Sequence, residues 1–120
     1  MNNREMALSA AAVLDEKKAL DVVIIDIGAK SSFADYFVIA SGASERQVGT
    51  LAEEVEDRFA KEGVHAKSIE GKQNSGWILM DFGDVIVNLF SVSQREHYNI
   101  EKIWSDCPFI DPEREANQED

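Results

Sequence analysis

Residues 77–90 read W-I-L-M-D-F-G-D-V-I-V-N-L-F, two largely apolar runs of six separated by Gly-Asp. No other stretch restricts the fold as much. Gly-Asp between two runs rich in β-branched and aromatic residues predicts an antiparallel hairpin with a two-residue loop. Phe82 then faces Val85, and the remaining pairs follow back along both strands. Side chains alternate between faces. One face therefore collects Ile78, Met80, Phe82, Val85, Val87 and Leu89, all apolar, and must lie against a core. The other collects Trp77, Leu79, Asp81, Ile86, Asn88 and Phe90. A face packed under helices has little use for Asp and Asn, and a solvated face has little use for Trp, Leu and Phe. Two readings stay open for it. It is a binding surface with an aromatic anchor and orienting polar neighbours, or a loop or the C-terminal helix covers it.

The flanking sequence supplies what such a hairpin needs. Asn2 or Asn3 can cap a first helix in which Met6, Ala10, Val13 and Leu14 recur at helical spacing, with Lys17 and Lys18 in its last turn. Asp21 to Ile27 and Tyr36 to Ala40 are short β-branched runs and predict strands. Ser44 with Gln47 has the form of a capping box. The helix after it carries Val48, Leu51, Ala52, Val55 and Phe59 on one stripe and ends near Gly63. Gly49 within it is expected to mark a close contact. Ala66 to Glu70 is a short strand, Gly71 to Gly76 a polar loop. Ser93 with Glu96 forms a second capping-box pattern, opening short helical turns that return Tyr98, Ile100, Ile103 and Trp104 to the body. The expected order is α-β-β-α-β-β-β-α. It gives an α/β (α+β) single domain over residues 1–106, a mixed sheet of about five strands with helices mainly on one face. Residues 107–120 are expected to be an acidic, disordered tail, with one Arg and five acids in the last ten positions.

The 120 residues suffice for one core without a disulfide or a metal. Charge narrows the partners: 12 Lys and Arg against 23 Asp and Glu give a net charge of −11. Nucleic-acid binding depends on cations that displace counterions, so such a chain is steered away from bulk phosphate and anionic membranes and toward basic partners. No run approaches the roughly 18 apolar residues of a membrane-spanning helix. The first dozen residues resemble neither a signal nor a transit peptide. One cysteine, Cys107, fits a reducing compartment. A cytoplasmic location is therefore expected.

Catalysis finds little support. His65 and His97 are the only histidines, and neither has a partner at metal-ligand spacing. Cys107 has Asp106 beside it, which disfavours a thiolate. The phosphate-loop, dinucleotide and nucleophile-elbow glycine motifs are absent. The best enzymatic alternative is a nucleotidyltransferase-like, nucleotide-binding site at Gly42-Ala43-Ser44, where a helix begins. Metal-dependent transfer also needs paired carboxylates, and no strand-borne Asp-x-Asp follows this helix. No catalytic residue, metal or cofactor is therefore assigned.

Three blocks in order carry a family resemblance. Asp35-Tyr36-Phe37-Val38-Ile39-Ala40-Ser41-Gly42 with Ser44 and Arg46-Gln47, then Gly76 to Val87, then Arg95-Glu96, Tyr98-Asn99, Glu101-Lys102 and Trp104 resemble the signatures of the ribosomal silencing factors, the Iojap family. The match runs from about Leu14 to Trp104. The resemblance implies a nucleotidyltransferase-like topology without the catalytic acids. It also implies a translation repressor that binds the conserved large-subunit protein numbered fourteen and sterically blocks joining of the small subunit. A role in large-subunit maturation is implied as well. By position, the partner-binding residues would be Trp77, Leu79, Asp81, Phe82, Asn88 and Tyr98. Asn88 stands where the family pattern has His, and Asn cannot become a cation. The partner would be a basic ribosomal protein, with little direct nucleic-acid contact and no membrane. A third reading is a homodimer that buries the same apolar surface.

Overall fold

A computed structural model describes residues 1–112. Its elements run α1 (Asn3–Glu16), β1 (Leu20–Asp26), β2 (Tyr36–Gly42), α2 (Glu45–Lys61), β3 (Ser68–Glu70), a 3-10 turn (Gln73–Ser75), β4 (Trp77–Asp81), β5 (Val85–Ser91), α3 (Val92–Tyr98), α4 (Ile100–Ile103) and β6 (Phe109–Ile110). The strands form one mixed sheet in the order β3-β4-β5-β2-β1-β6. β2 and β5 pair in parallel at its centre, and the other neighbours are antiparallel.

Capping chemistry sets the two long helices. The Asn2 side chain accepts from the Glu5 backbone N–H while the Glu5 carboxylate accepts from that of Asn2, a complete capping box. Ser44 accepts from the Gln47 backbone N–H at 3.1 Å, but the Gln47 side chain reaches the Ala43 N–H at 2.7 Å instead of that of Ser44. Both helices bury their apolar stripes on one face of the sheet. Leu14, Val48, Leu51, Val55 and Phe59 meet Ile24, Val38, Met80, Val87 and Leu89 there. At roughly 25 cal/mol per Å2 of apolar surface, this core is the main favourable contribution to folding. The 3-10 turn packs against α2, and Gly49 lines a shallow depression shared with Ala52, Ile69, Gly71 and Ile78.

The sheet is the expected mixed sheet of about five strands, with a sixth described strand because Phe109 and Ile110 pair with Ile25 and Ile24. Three expectations need correction. The fold extends past 106: Cys107 is buried, and the Asp26 N–H donates to the Pro108 carbonyl at 2.9 Å. The acids beyond Pro112 lie outside the described residues. The third helix begins earlier than the Ser93–Glu96 pattern suggests. Ser91, the last strand residue, caps it by accepting from the Gln94 N–H, so Ser93 lies inside the helix. Lys17 and Lys18 lie beyond the last turn of α1, Lys17 as its C-terminal cap and Lys18 left-handed at φ 68°.

The hairpin has the expected register, with Trp77 opposite Phe90, Leu79 opposite Asn88 and Asp81 opposite Ile86. Its second face belongs to a smaller core. Ile25, Ile27, Phe37, Ile39, Ile86, Phe90 and Cys107 form that core, and Ile100 and Trp104 pack against it from the C-terminal segment.

Candidate partner-binding face

The second face of the sheet is only part-covered, and the alternation of β4 and β5 decides what remains accessible. On β5, Ile86, Asn88 and Phe90 are buried. On the neighbouring β4, which lies nearer the sheet edge, Trp77, Leu79 and Asp81 stay partly exposed. Tyr98, the last residue of α3, is 45% exposed. These four residues form an open patch above a closed floor.

Trp77 is held on three sides. Its ring stacks on Phe90 with centroids 5.1 Å apart, and Tyr98 tilts against it at 4.6 Å. The indole Nε1 donates to Asn88 Oδ1 at 3.1 Å. The indole N–H can only donate, so the amide oxygen must face it, and this fixes the Asn88 orientation. The Asn88 Nδ2 is then buried without a hydrogen-bond partner among the described residues. Aromatic pairs of this kind contribute about 0.5–1.5 kcal/mol beyond their area, so the rotamer of Trp77 is set before any partner arrives. Asp81 is oriented too: its Oδ1 accepts from the Gly83 N–H at 2.7 Å, at the entry to the hairpin turn.

Arg95 secures the helix that presents Tyr98. It lies largely buried, with Nε donating to Glu101 at 2.8 Å and Nη1 donating to the Ser41 hydroxyl at 3.1 Å and the Leu20 carbonyl at 3.3 Å. One side chain thereby joins α3, α4 and the ends of β1 and β2. The matching of Arg95 and Glu101 to a family block was visible in sequence, but this linking role was not. At the other end of the face, Phe33, Phe37 and Trp104 form a second aromatic cluster with centroids 5.5–6.3 Å apart. Phe33 is exposed, and no periodic pattern flagged it, because it sits in the loop between β1 and β2.

Of the six expected contact residues, the structure brings together Trp77, Leu79, Asp81 and Tyr98 and withdraws two. Asn88 is 1% exposed, beneath Trp77, and serves as the floor of the patch. Phe82 is 8% exposed on the opposite face, its ring 4.7 Å from Phe59 of α2. Strand alternation already placed Phe82 with the core, so a direct contact from it to a partner is corrected on that ground.

The Ser44 alternative gains nothing from the geometry. Its hydroxyl and the Gln47 side chain are both engaged in capping α2. Among the described residues no three His, Cys, Asp or Glu side chains cluster as metal ligands would. His65 and His97 are exposed, and His97 lies edge-on to Tyr98. No helix among these residues is long and apolar enough to cross a membrane.

Comparison with known proteins agrees with the three sequence blocks. The family described as "Ribosomal silencing factor during starvation" matches residues 1–120. The Ribosomal silencing factor RsfS of Bacillus subtilis is 39% identical over 118 residues, which cover 98% of this chain and 100% of that protein. A mouse protein named "Mitochondrial assembly of ribosomal large subunit protein 1" is 30% identical over 104 residues, covering 83% of this chain and 45% of its own. A crystal structure of a Chromobacterium violaceum protein superposes with a TM-score of 0.84 at 31% identity, over 88% of each chain.

Proposed function

This chain belongs to the ribosomal silencing factor family, and on that premise we propose that it represses translation by binding the large ribosomal subunit and sterically blocking the small subunit. Its relatives carry the name of a ribosome-associated regulator, not of an enzyme, and the chain works by occupancy without turnover. The partner surface is a basic ribosomal protein, the large-subunit protein numbered fourteen, in the cytoplasm. The net charge of −11 favours a cationic protein and disfavours grip on the surrounding RNA.

The observation that carries this reading is the braced Trp77. A large aromatic ring, partly exposed and fixed by Phe90, Tyr98 and Asn88, has the character of an interface anchor with little side-chain entropy left to lose. Leu79 and Asp81 extend the patch along β4. Apolar surface with one carboxylate suits a partner whose own patch is apolar with a flanking Lys or Arg.

Sucrose-gradient comigration with the large subunit, together with inhibition of subunit association, tests the proposal. Trp77→Ala and Tyr98→Ala should each weaken binding, Trp77→Ala by about 2 kcal/mol or roughly thirtyfold. Circular dichroism establishes that each variant is folded. Undiminished inhibition by both folded variants would reject this face as the contact. The mouse relative's name favours a second reading, a role in large-subunit assembly. Accumulation of incomplete large subunits in cells lacking the chain, at unchanged subunit joining by the purified protein, would favour assembly as the main role.

A further inference from the structure

On the far side of the molecule, a groove of about 630 Å3 runs between the outer flank of α1, the start of β1 and the Asp111–Pro112 segment. In the sheet order it lies at the β1–β6 edge, whereas the Trp77 patch lies toward the β3–β4 edge, with β5 and β2 between. The two surfaces are therefore separate.

Leu8, Ala12, Ala19 and Val22 give the groove an apolar floor. Ala12 is exposed, and Leu8, Ala19 and Val22 are half-buried against the margin of the main core. Asp15 and Asp21 stand on the groove's rim, together with Glu5, whose carboxylate caps α1, and Asp111, which is itself engaged; Met1 with its amino group also lines the groove, and no Lys, Arg or His side chain is among the described residues lining it. Asp21 owes its place to a bulge: the register of β1 against β2 shifts between Leu20 and Val23, and Asp21 adopts φ 48°. An apolar trough with the Asp15 and Asp21 carboxylates on its rim is complementary to an apolar segment flanked by cations.

We propose that this groove is a second docking surface, which takes a cationic amphipathic peptide segment of a partner protein. Apolar side chains of the segment lie on Leu8, Ala12 and Val22, and its Lys or Arg residues reach Asp15 and Asp21. The chain's own residues after Pro112 are poor occupants, because they bring four acids and one Arg to an acidic rim. The inference does not rest on the Trp77 patch, and the chain would hold two partners, or two parts of one, on separated surfaces.

Fluorescence anisotropy with a labelled, lysine-flanked Leu-Leu peptide tests this on the full chain. A companion peptide of the same charge has Ser in place of Leu. Asp15→Lys combined with Asp21→Asn removes charge from the rim, and Asn tolerates the left-handed conformation at position 21. Ala12→Phe fills the floor without changing charge. Each is expected to weaken the Leu-Leu peptide by about tenfold or more. The combined variant Glu53→Lys/Glu56→Lys on α2 controls for general attraction to an acidic protein, and should change binding less than about twofold. Trp77→Ala should leave the peptide affinity intact, which separates this test from that of the ribosome-binding face. The proposal is overturned by equal affinity for the Ser peptide, by an equal loss in the α2 variant, or by no binding at all. It is equally overturned if Ala12→Phe converts a dimer to a monomer in sedimentation, since a second copy would then be the occupant. Deletion of residues 113–120 that raised affinity severalfold would assign the groove to the chain's own C-terminal segment.

Discussion

The Asn88 side chain has two polar ends and, among the described residues, one partner. Its Oδ1 accepts from the Trp77 indole while its buried Nδ2 has no partner among the described residues, and leaving such a group unsatisfied costs about 1–3 kcal/mol. In an otherwise apolar strand, Asn88 is the polar support of Trp77. Trp77→Phe keeps an aromatic ring but strips the remaining hydrogen bond from a buried amide, so it should destabilise the fold by about 1–3 kcal/mol. Adding Asn88→Leu removes the orphaned amide and keeps similar volume. The double variant should then recover most of that loss, since replacing both partners by apolar groups can be nearly neutral. Urea unfolding of the two single variants and the double variant measures the coupling. Additive losses would mean that the hydrogen bond contributes nothing and that Asn88 has another role. The hairpin sequence alone placed Asn88 on the same face as Trp77, but not beneath it. Burial of that position depends on Phe90 and on the returning α3, both of which are set by tertiary packing.

At the scale of elements, the patch depends on how β4 and α3 are tied down. Gly71 comes just before the 3-10 turn with φ 89°, and a Cβ there would run into the Trp77 carbonyl oxygen. Gly63, after α2, has φ 74° but open space around it. Gly63→Ala should therefore cost only the left-handed backbone penalty of about 1–2 kcal/mol. Gly71→Ala adds a backbone clash at the head of β4 and should cost clearly more, with loss of large-subunit binding as Trp77 shifts. Thermal unfolding of the pair, read beside gradient comigration, checks the difference. Arg95 is the corresponding tie for α3. Arg95→Ala should cost about 2 kcal/mol through its charge-assisted hydrogen bonds, and Lys, a point charge without the guanidinium fork, should restore only part. Equal stability of the Lys variant and the wild type would show that charge alone holds the helix. These elements were unequally legible in the sequence. The amphipathic stripe of α2 and the alternation of β4 and β5 are periodic, and both elements formed as read. The start of α3 was misplaced because two serines, Ser91 and Ser93, offered competing caps, and strand pairing at Ser91 decided between them. β6 was illegible: two residues carry no period, and Phe109-Ile110 forms a strand only because the edge of β1 offers unpaired backbone groups.

For the whole molecule, the charge of −11 and the aromatic patch have separable consequences. Long-range attraction between an acidic protein and a basic partner acts mainly on the encounter, while desolvated anchors act mainly on the lifetime of the complex. Raising salt from about 0.1 M to about 1 M shortens the screening length from about 10 Å to about 3 Å. The association rate with an immobilised basic ribosomal protein should therefore fall steeply across that range, while the dissociation rate changes little. Trp77→Ala should do the reverse, leaving the association rate near its wild-type value and raising the dissociation rate roughly thirtyfold. Surface plasmon resonance across a salt series, with both proteins purified, reads the two rates independently. An association rate insensitive to salt would mean that the excess of carboxylates serves solubility alone. The patch would then have to find its partner by shape and apolar contact, without steering. A Trp77→Ala variant that slowed association instead would mean that the ring is needed to form the encounter, and Trp77 would not be the anchor on which ribosome binding is proposed to rest.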